Sequence, residues 1–222
     1  MTLNQISEIH YELIRSRRKS IAIYVKDCRV IVRAPLIYPV RGIDRFVESK
    51  KRWIEKHLIE QQKQAEYLKN FKLTYGSDIL FLGQKYRIVD VEGIDDTFYC
   101  PPGLGETQIR KKLISFYKDH ANKIIPELID QIAPIIGARP TDIRIGSAKR
   151  SWGSCTSAGK VTFSWRLMMA SPESIEYVVV HELAHLKQLN HSEKFWAVVA
   201  RVLPDWKKRR KALRGLQKNI TV

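Results

Sequence analysis

The segment His181-Glu182-Leu183-Ala184-His185, followed by His191, holds the residue types that can bind a metal ion and put it to use. Two histidines at i and i+4 lie one turn apart on one helical face, so both imidazoles reach a single cation. The glutamate beside the first histidine can then act as general base on a water in the open coordination position. A helix carried straight on would rotate His191 away, but a turn at Leu189-Asn190 could fold it back as a third ligand. Asn tolerates the left-handed conformation that such a turn uses. The chemistry implied is zinc held by His181, His185 and His191, with Glu182 taking a proton from water that attacks a carbonyl or phosphoryl centre. The bland alternative is a set of partly buried helix histidines balanced by Glu182, which leaves a costly core if no ion is present.

A second cluster lies upstream, where Arg150, Trp152, Gly153 and Ser154 are candidate substrate-binding residues. Trp152-Gly153-Ser154-Cys155 reads as a tight loop beside the site. It leads into a strand over residues 161–165 that can line a cleft and pair with an extended substrate. The competing reading makes Trp152 and Trp165 core aromatics and Gly153 a turn residue. Cys155 is either a fourth, inhibitory ligand or a packed thiol. His10, His57 and His120 lack metal spacing. Two basic regions remain, around Lys50-Lys51-Arg52 and from Arg201 onward, where eight Lys and Arg face one Asp. Lys207-Lys208-Arg209-Arg210-Lys211 is either a solvated helical face or a surface for nucleic acid or a nucleotide.

The elements that must position these residues follow from periodicity. Tyr11-Glu12-Leu13-Ile14-Arg15, Ile21-Ala22-Ile23-Tyr24-Val25 and Val30-Ile31-Val32-Arg33-Ala34 are short β-branched runs that predict an antiparallel meander. Ile43, Phe46, Val47, Ile54 and Leu58 then share one face of an amphipathic helix over residues 40–64. Strand character returns over residues 71–91, with Gly76 and Gly83 as hairpin markers. A Gly, Asp and Pro-rich stretch over residues 92–106 is the best boundary candidate, giving regions 1–100 and 101–222, which can also form one continuous domain. Ile109, Leu113, Phe116, Tyr117, Ile124 and Leu128 predict a long helix ending near Gly137, kinked or divided at Pro126. Ile143-Arg144-Ile145 is strand-like; Ser171 caps the metal helix with Pro172 in its first turn, and Ser192 caps the next helix. The fold class expected is α+β: an N-terminal antiparallel β region with a helix, then a catalytic region whose metal-binding helix packs on a small sheet.

Composition narrows the rest. The chain has 222 residues, 44% hydrophobic and 28% charged, with 39 Lys+Arg against 23 Asp+Glu and a formal charge of +16. That balance excludes disorder, and no apolar run is long enough to span a membrane. The first residues lack the apolar core of a secretory signal, and three widely spaced cysteines do not make a disulfide framework, which together point to a reducing, cytoplasmic setting. The charge suits an anionic substrate or nucleic acid and leaves oligomeric state open.

The histidine segment through His191, followed by Phe195-Trp196, resembles the YgjP-like metallopeptidase family, also known as DUF45 metal-dependent hydrolases, which is related to WLM and SprT-like zinc proteins. Trp152-Gly153-Ser154-Cys155, Trp165-Arg166-Leu167 and Leu203-Pro204-Asp205 match its further signatures, the clear likeness running over residues 143–213. The resemblance implies a zincin-like catalytic region and a metal-dependent, peptidase-like hydrolase; the net charge and clustered basic residues favour, as the alternative, a phosphorylated substrate such as a nucleotide. Ser151 stands where many members carry Arg, with Arg150 one residue earlier. The histidine spacing equals that of metzincins, but Gln188 replaces their glycine, and Met168-Met169 precedes the metal helix instead of following it.

Overall fold

A computed structural model describes residues 2–6, 9–93 and 96–216, and the chain divides into two compact units, Met1–Phe71 and Lys72–Val222. In the first, strands β1 (Thr2–Ile6), β2 (Ile9–Ser16), β3 (Ala22–Lys26) and β4 (Arg29–Pro35) form one sheet in the order β1-β2-β4-β3. Asp27 and Cys28, both at positive φ, close the β3–β4 hairpin with the turn geometry that matches strand twist. The meander expectation fails at one pair: β2 and β4 run parallel, Tyr11 opposite Val30. Alternating apolar residues bury one face of a strand whichever way its neighbour runs, so periodicity does not distinguish the two pairings.

The expected single helix is two, α1 (Val40–Ser49) and α2 (Lys51–Asn70), broken at Lys50. Ile43 and Val47 of α1 and Ile54 of α2 are all fully buried in one core with Tyr11, Val32 and Ala34. Tyr11 donates its hydroxyl to Asp44, and Gln61 of α2 bonds both ends of the β3–β4 turn, at the Val25 carbonyl and the Cys28 amide.

The second unit begins with a small sheet of β5 (Asp78–Phe81), β6 (Gln84–Val89) and β7 (Thr97–Tyr99). The Gly, Asp and Pro-rich stretch lies inside this unit around β7, and the division between units falls earlier, after Phe71. Helix α3 (Glu106–Ile136) follows, with Ile109, Leu113, Tyr117, Ala121, Ile125, Ile129 and Ile132 along one buried face. Pro126 and Pro134 lie within it without dividing it, because that apolar stripe holds the helix on both sides of each lost backbone bond. Gly137 ends it in the left-handed conformation.

The half of this unit that carries the histidines contains a second sheet in the order β8 (Asp142–Gly146), β10 (Lys160–Ser164), β9 (Gly153–Cys155), with β8 parallel and β9 antiparallel to β10. A buried 3-10 turn, Trp165–Met169, leads to α4 (Pro172–Ala184), α5 (Glu193–Val202) and α6 (Trp206–Leu216). This is the α+β arrangement expected, with the histidine-bearing helix α4 packed beside a small sheet. No helix among the described residues is long and apolar enough to cross a membrane.

The β5–β6 turn is docked at the entry to α4. Leu82 donates its amide to the Met168 carbonyl at 2.8 Å, and Gly83, at φ +81°, has a Cβ position only 3.0 Å from the Ser171 Cα. Gly83→Ala therefore meets both a strained φ and backbone that cannot yield. It should cost about 1–3 kcal/mol and lower the thermal midpoint by several degrees in calorimetry, whereas an unchanged midpoint would mean the turn is not docked.

Candidate metal centre

Nine of the thirteen residues of α4 are buried, so the helix is anchored on most of its circumference and offers His181 on what remains. The helix stops at Ala184. Leu186 and Lys187 donate to the Leu183 and Ala184 carbonyls, tightening the last turn, and His185 Nδ1 donates to the Gln188 carbonyl at 3.1 Å. That bond commits Nδ1–H to the backbone and leaves Nε2 of His185 as the free ring nitrogen.

The chain then reverses as expected from the spacing, by a different device. Asn190 is not among the residues with positive φ; its side-chain oxygen instead accepts the Ser192 amide at 3.3 Å, a turn made by the side chain. Ser171 and Ser192 do occupy the N-cap positions of α4 and α5, but neither makes a side-chain capping bond. The reversal sets His191 Nε2 3.0 Å from His181 Nε2. Among the described residues, His181, His185 and His191 form a group whose donor atoms all lie within 4.8 Å of one another.

The group fits a divalent ion. A tetrahedral zinc with nitrogens at 2.0–2.1 Å wants them roughly 3.3 Å apart, within the spread found here. Burial, joined by the charges of His185, His191 and Arg210, pushes His181 down to about 3, and burial lowers His185 as well. Both imidazoles are thereby kept neutral, the form that ligates. Phe195, fully buried, packs against all three rings at centroid distances of 4.6–4.9 Å.

Glu182 is 6% exposed, and burial raises its carboxyl to about 7. The reason is Gly153: a Cβ there would sit 2.7–2.9 Å from Glu182 Cγ, Oε1 and Cδ, so only glycine lets β9 lie against the carboxylate. Gly153–Cys155 thus form strand β9, where a loop is expected, and Trp152 sits in the bend that leads into it. Its alternation sorts the candidates: Gly153 faces Glu182, while Ser154 is exposed opposite Thr162. Cys155, half-buried, has its thiol raised by burial and by the Glu182 charge, but the ligand group includes no sulfur. Arg150, Trp152 and Gly153 line a cavity of about 320 Å³ together with His181, Glu182 and His191. Trp165, by contrast, is a core residue stacked on Tyr117. His57 and His120 each bond the backbone carbonyl one turn earlier in their own helices.

Two groups that spacing alone does not single out hold the cleft wall. Arg166 is buried, lies over the Trp165 ring, and donates to the Ser147 carbonyl at 2.8 Å. Ser164 donates its hydroxyl to the Ala148 carbonyl, and its amide to Trp152. Together they fasten residues 147–152, which carry Arg150 and Trp152 into the cavity. An arginine in a strand-to-helix connection is the available signal. Arg166→Met should remove the Ser147 bond at a cost of about 1–3 kcal/mol in urea unfolding, with faster amide exchange confined to residues 147–153. Uniform exchange across the unit would assign Arg166 to general packing.

No curated protein matches the chain. Among solved structures, 44% of the chain aligns with 99% of each of two metallopeptidase zymogens. These are abylysin of Pyrococcus abyssi, at 28% identity and TM-score 0.39, and jannalysin of Methanocaldococcus jannaschii, at 21% and 0.38. The family model for the YgjP-like metallopeptidase domain matches residues 19–215, nearly the full length, and the chain belongs to that family.

Proposed function

We propose that the protein is a zinc-dependent, peptidase-like hydrolase in which His181, His185 and His191 hold the ion and Glu182 moves the proton. The observation that carries this reading is the juxtaposition of a buried glutamate, three convergent imidazoles and the edge strand β9. When bound, a divalent metal supplies Lewis-acid polarisation of the scissile carbonyl and acidifies water. The chain's residues do the rest. Glu182, held at about 7 by burial, accepts a proton near neutrality and returns it to the leaving amine.

β9 supplies orientation. Trp152 accepts from Ser164, and Thr156 donates to Lys160, so those residues bond inward to β10. By the alternation of an antiparallel pair, the Gly153 amide and both Cys155 backbone groups point to the outer edge, where the Gly153 carbonyl already accepts the Ser151 hydroxyl. An extended peptide can add there as a further strand beside Glu182.

A second reading has a specific observation in its favour. Arg150, Arg210 and Arg214 line the same cavity, and the same activated water would attack a phosphoryl centre of a nucleotide or another phosphorylated small molecule. Nucleic-acid binding through the basic surface would use Lys207, Lys208 and Lys211, all exposed.

Assay of the zinc-loaded protein on casein, a nucleotide panel and single-stranded DNA separates the three. Casein cleavage is expected, with Glu182→Gln retaining metal but losing about 10²–10⁴-fold or more in kcat. His191→Ala should instead lose metal by elemental analysis. Glu182-dependent release of phosphate or pyrophosphate without proteolysis would falsify the peptidase reading, and salt-sensitive DNA binding indifferent to zinc would assign the basic surface a separate role.

Gly153→Ala provides an independent check, since its methyl group lands on the Glu182 carboxylate. Metal content should stay at the parent level while kcat falls about tenfold or more. Retained turnover would show that Glu182 is not held where the proton is needed.

A further inference from the structure

Helix α6 contains the stretch that in sequence looks like one solvated basic face, and the structure divides its charges three ways. Arg209 faces α4: its guanidinium pairs with Glu176 and Asp205 and donates to the Glu173 carbonyl. Lys207, Lys208 and Lys211 are exposed. Arg210, Leu213 and Arg214, one turn apart, line the metal cavity with His181, Glu182 and His191. Leu213 is buried, which with the Arg209 ion pairs fixes the rotation of the helix.

Both arginines border the cavity that holds His181, Glu182 and His191. The Arg210 guanidinium lies 5.1 Å from the centre of the Trp196 ring, which stacks on His191. Tyr177, whose ring centre lies 5.8 Å from that of His181, lines the same cavity as the two arginines. Arg209 has two carboxylate partners, yet no acidic side chain among the described residues pairs with Arg210 or Arg214. Two like charges one turn apart on a helix repel, and a cationic pair beside a cation site opposes metal binding. An anion between them relieves both costs, and the planar fork of arginine matches a carboxylate or phosphoryl group.

We propose that Arg210 and Arg214 form an anion subsite of the metal cleft, so that preferred substrates carry a carboxylate or phosphoryl group beside the bond that is cut. The substrate statement rests on the hydrolase reading above, whereas binding of the anion does not.

The test uses zinc-loaded Glu182→Gln protein, titrated by calorimetry with succinate and, separately, inorganic phosphate. Arg214→Gln and Arg210→Gln should each weaken binding about tenfold, and Arg210→Lys should keep part of it. Lys211→Gln, the same charge change on the exposed face, is the control. Equal weakening by Lys211→Gln, or parent-like binding by both arginine variants, would overturn the subsite. Circular dichroism checks that α6 persists, and Arg214→Gln, on an exposed side chain, keeps the test valid if Arg210→Gln unfolds.

In the Glu182-intact protein, the ratio of kcat/KM between Glu- and Gln-containing peptides, and between free-acid and amidated C-termini, should fall about tenfold in the arginine variants. Tighter succinate than phosphate binding identifies a peptide carboxylate; the reverse identifies a phosphoryl group, and either supports the subsite. Arginine-dependent anion binding without hydrolysis of any substrate defeats the hydrolase reading and leaves the subsite standing. Glu182-dependent hydrolysis with an unchanged selectivity ratio defeats the subsite alone.

Discussion

The candidate metal centre depends on α4 ending where it does. A helix continued from His181 to His191 would separate them by about 15 Å along its axis, yet their Nε2 atoms lie 3.0 Å apart. The reversal is built from the shortened bonds at Leu186 and Lys187, the Gln188 carbonyl on His185 and the Asn190 side chain on Ser192. The Gln188 bond both satisfies a carbonyl that the helix no longer covers and selects the ring nitrogen that His185 turns to the cluster. Helix termination and ligand orientation are therefore one structural event.

Burial then determines the chemical state of what that event assembles. Phe195 fills the space behind the three rings, and Gly153 brings β9 onto Glu182. Desolvation acts in opposite directions on the two residue types, pulling imidazolium down and carboxylate up. Both shifts favour the neutral form, so the histidines present lone pairs while Glu182 is poised near neutrality. The cleft wall that produces this is fastened at its far end by Arg166 and Ser164, outside the cavity.

The candidate site is legible in the sequence because it is encoded locally: His181, Glu182, His185 and His191 span eleven residues, and helix geometry converts their spacing directly into convergence. The α3 face is readable for the same reason, as a 3.6-residue period sustained over many turns. What stays hidden depends on partners distant in sequence. The parallel β2–β4 pair leaves no trace in period-two alternation. The break at Lys50 is equally silent, because Ile43 and Val47 before it and Ile54 after it enter one core, as they would from an unbroken helix. The contact of Gly153 with Glu182 joins two elements that look unrelated in sequence. The basic tail is the hardest case, since charge counts add Arg209, Arg210, Lys211 and Arg214 together while helical rotation gives them different surroundings.

That sorting changes the meaning of the +16 charge. A divalent ion on three neutral histidines carries two positive charges, and Glu182 offsets at most one of them. Arg210 and Arg214 add two more at the cavity wall. Among the described residues nothing acidic pairs with either arginine, so the loaded cleft would carry a cationic excess, screened by solvent at the exposed Arg214 and His191 and less so beside the buried Glu182. A neutral peptide would leave that charge uncompensated, whereas an anionic group neutralises part of it on binding and more as negative charge develops on the attacked oxygen. On the proposed reading, the electrostatics of the folded site would select for the charge of the substrate, while the metal and Glu182 would determine what is done to it. The exposed lysines on the outer face of α6 add only long-range attraction, which salt weakens.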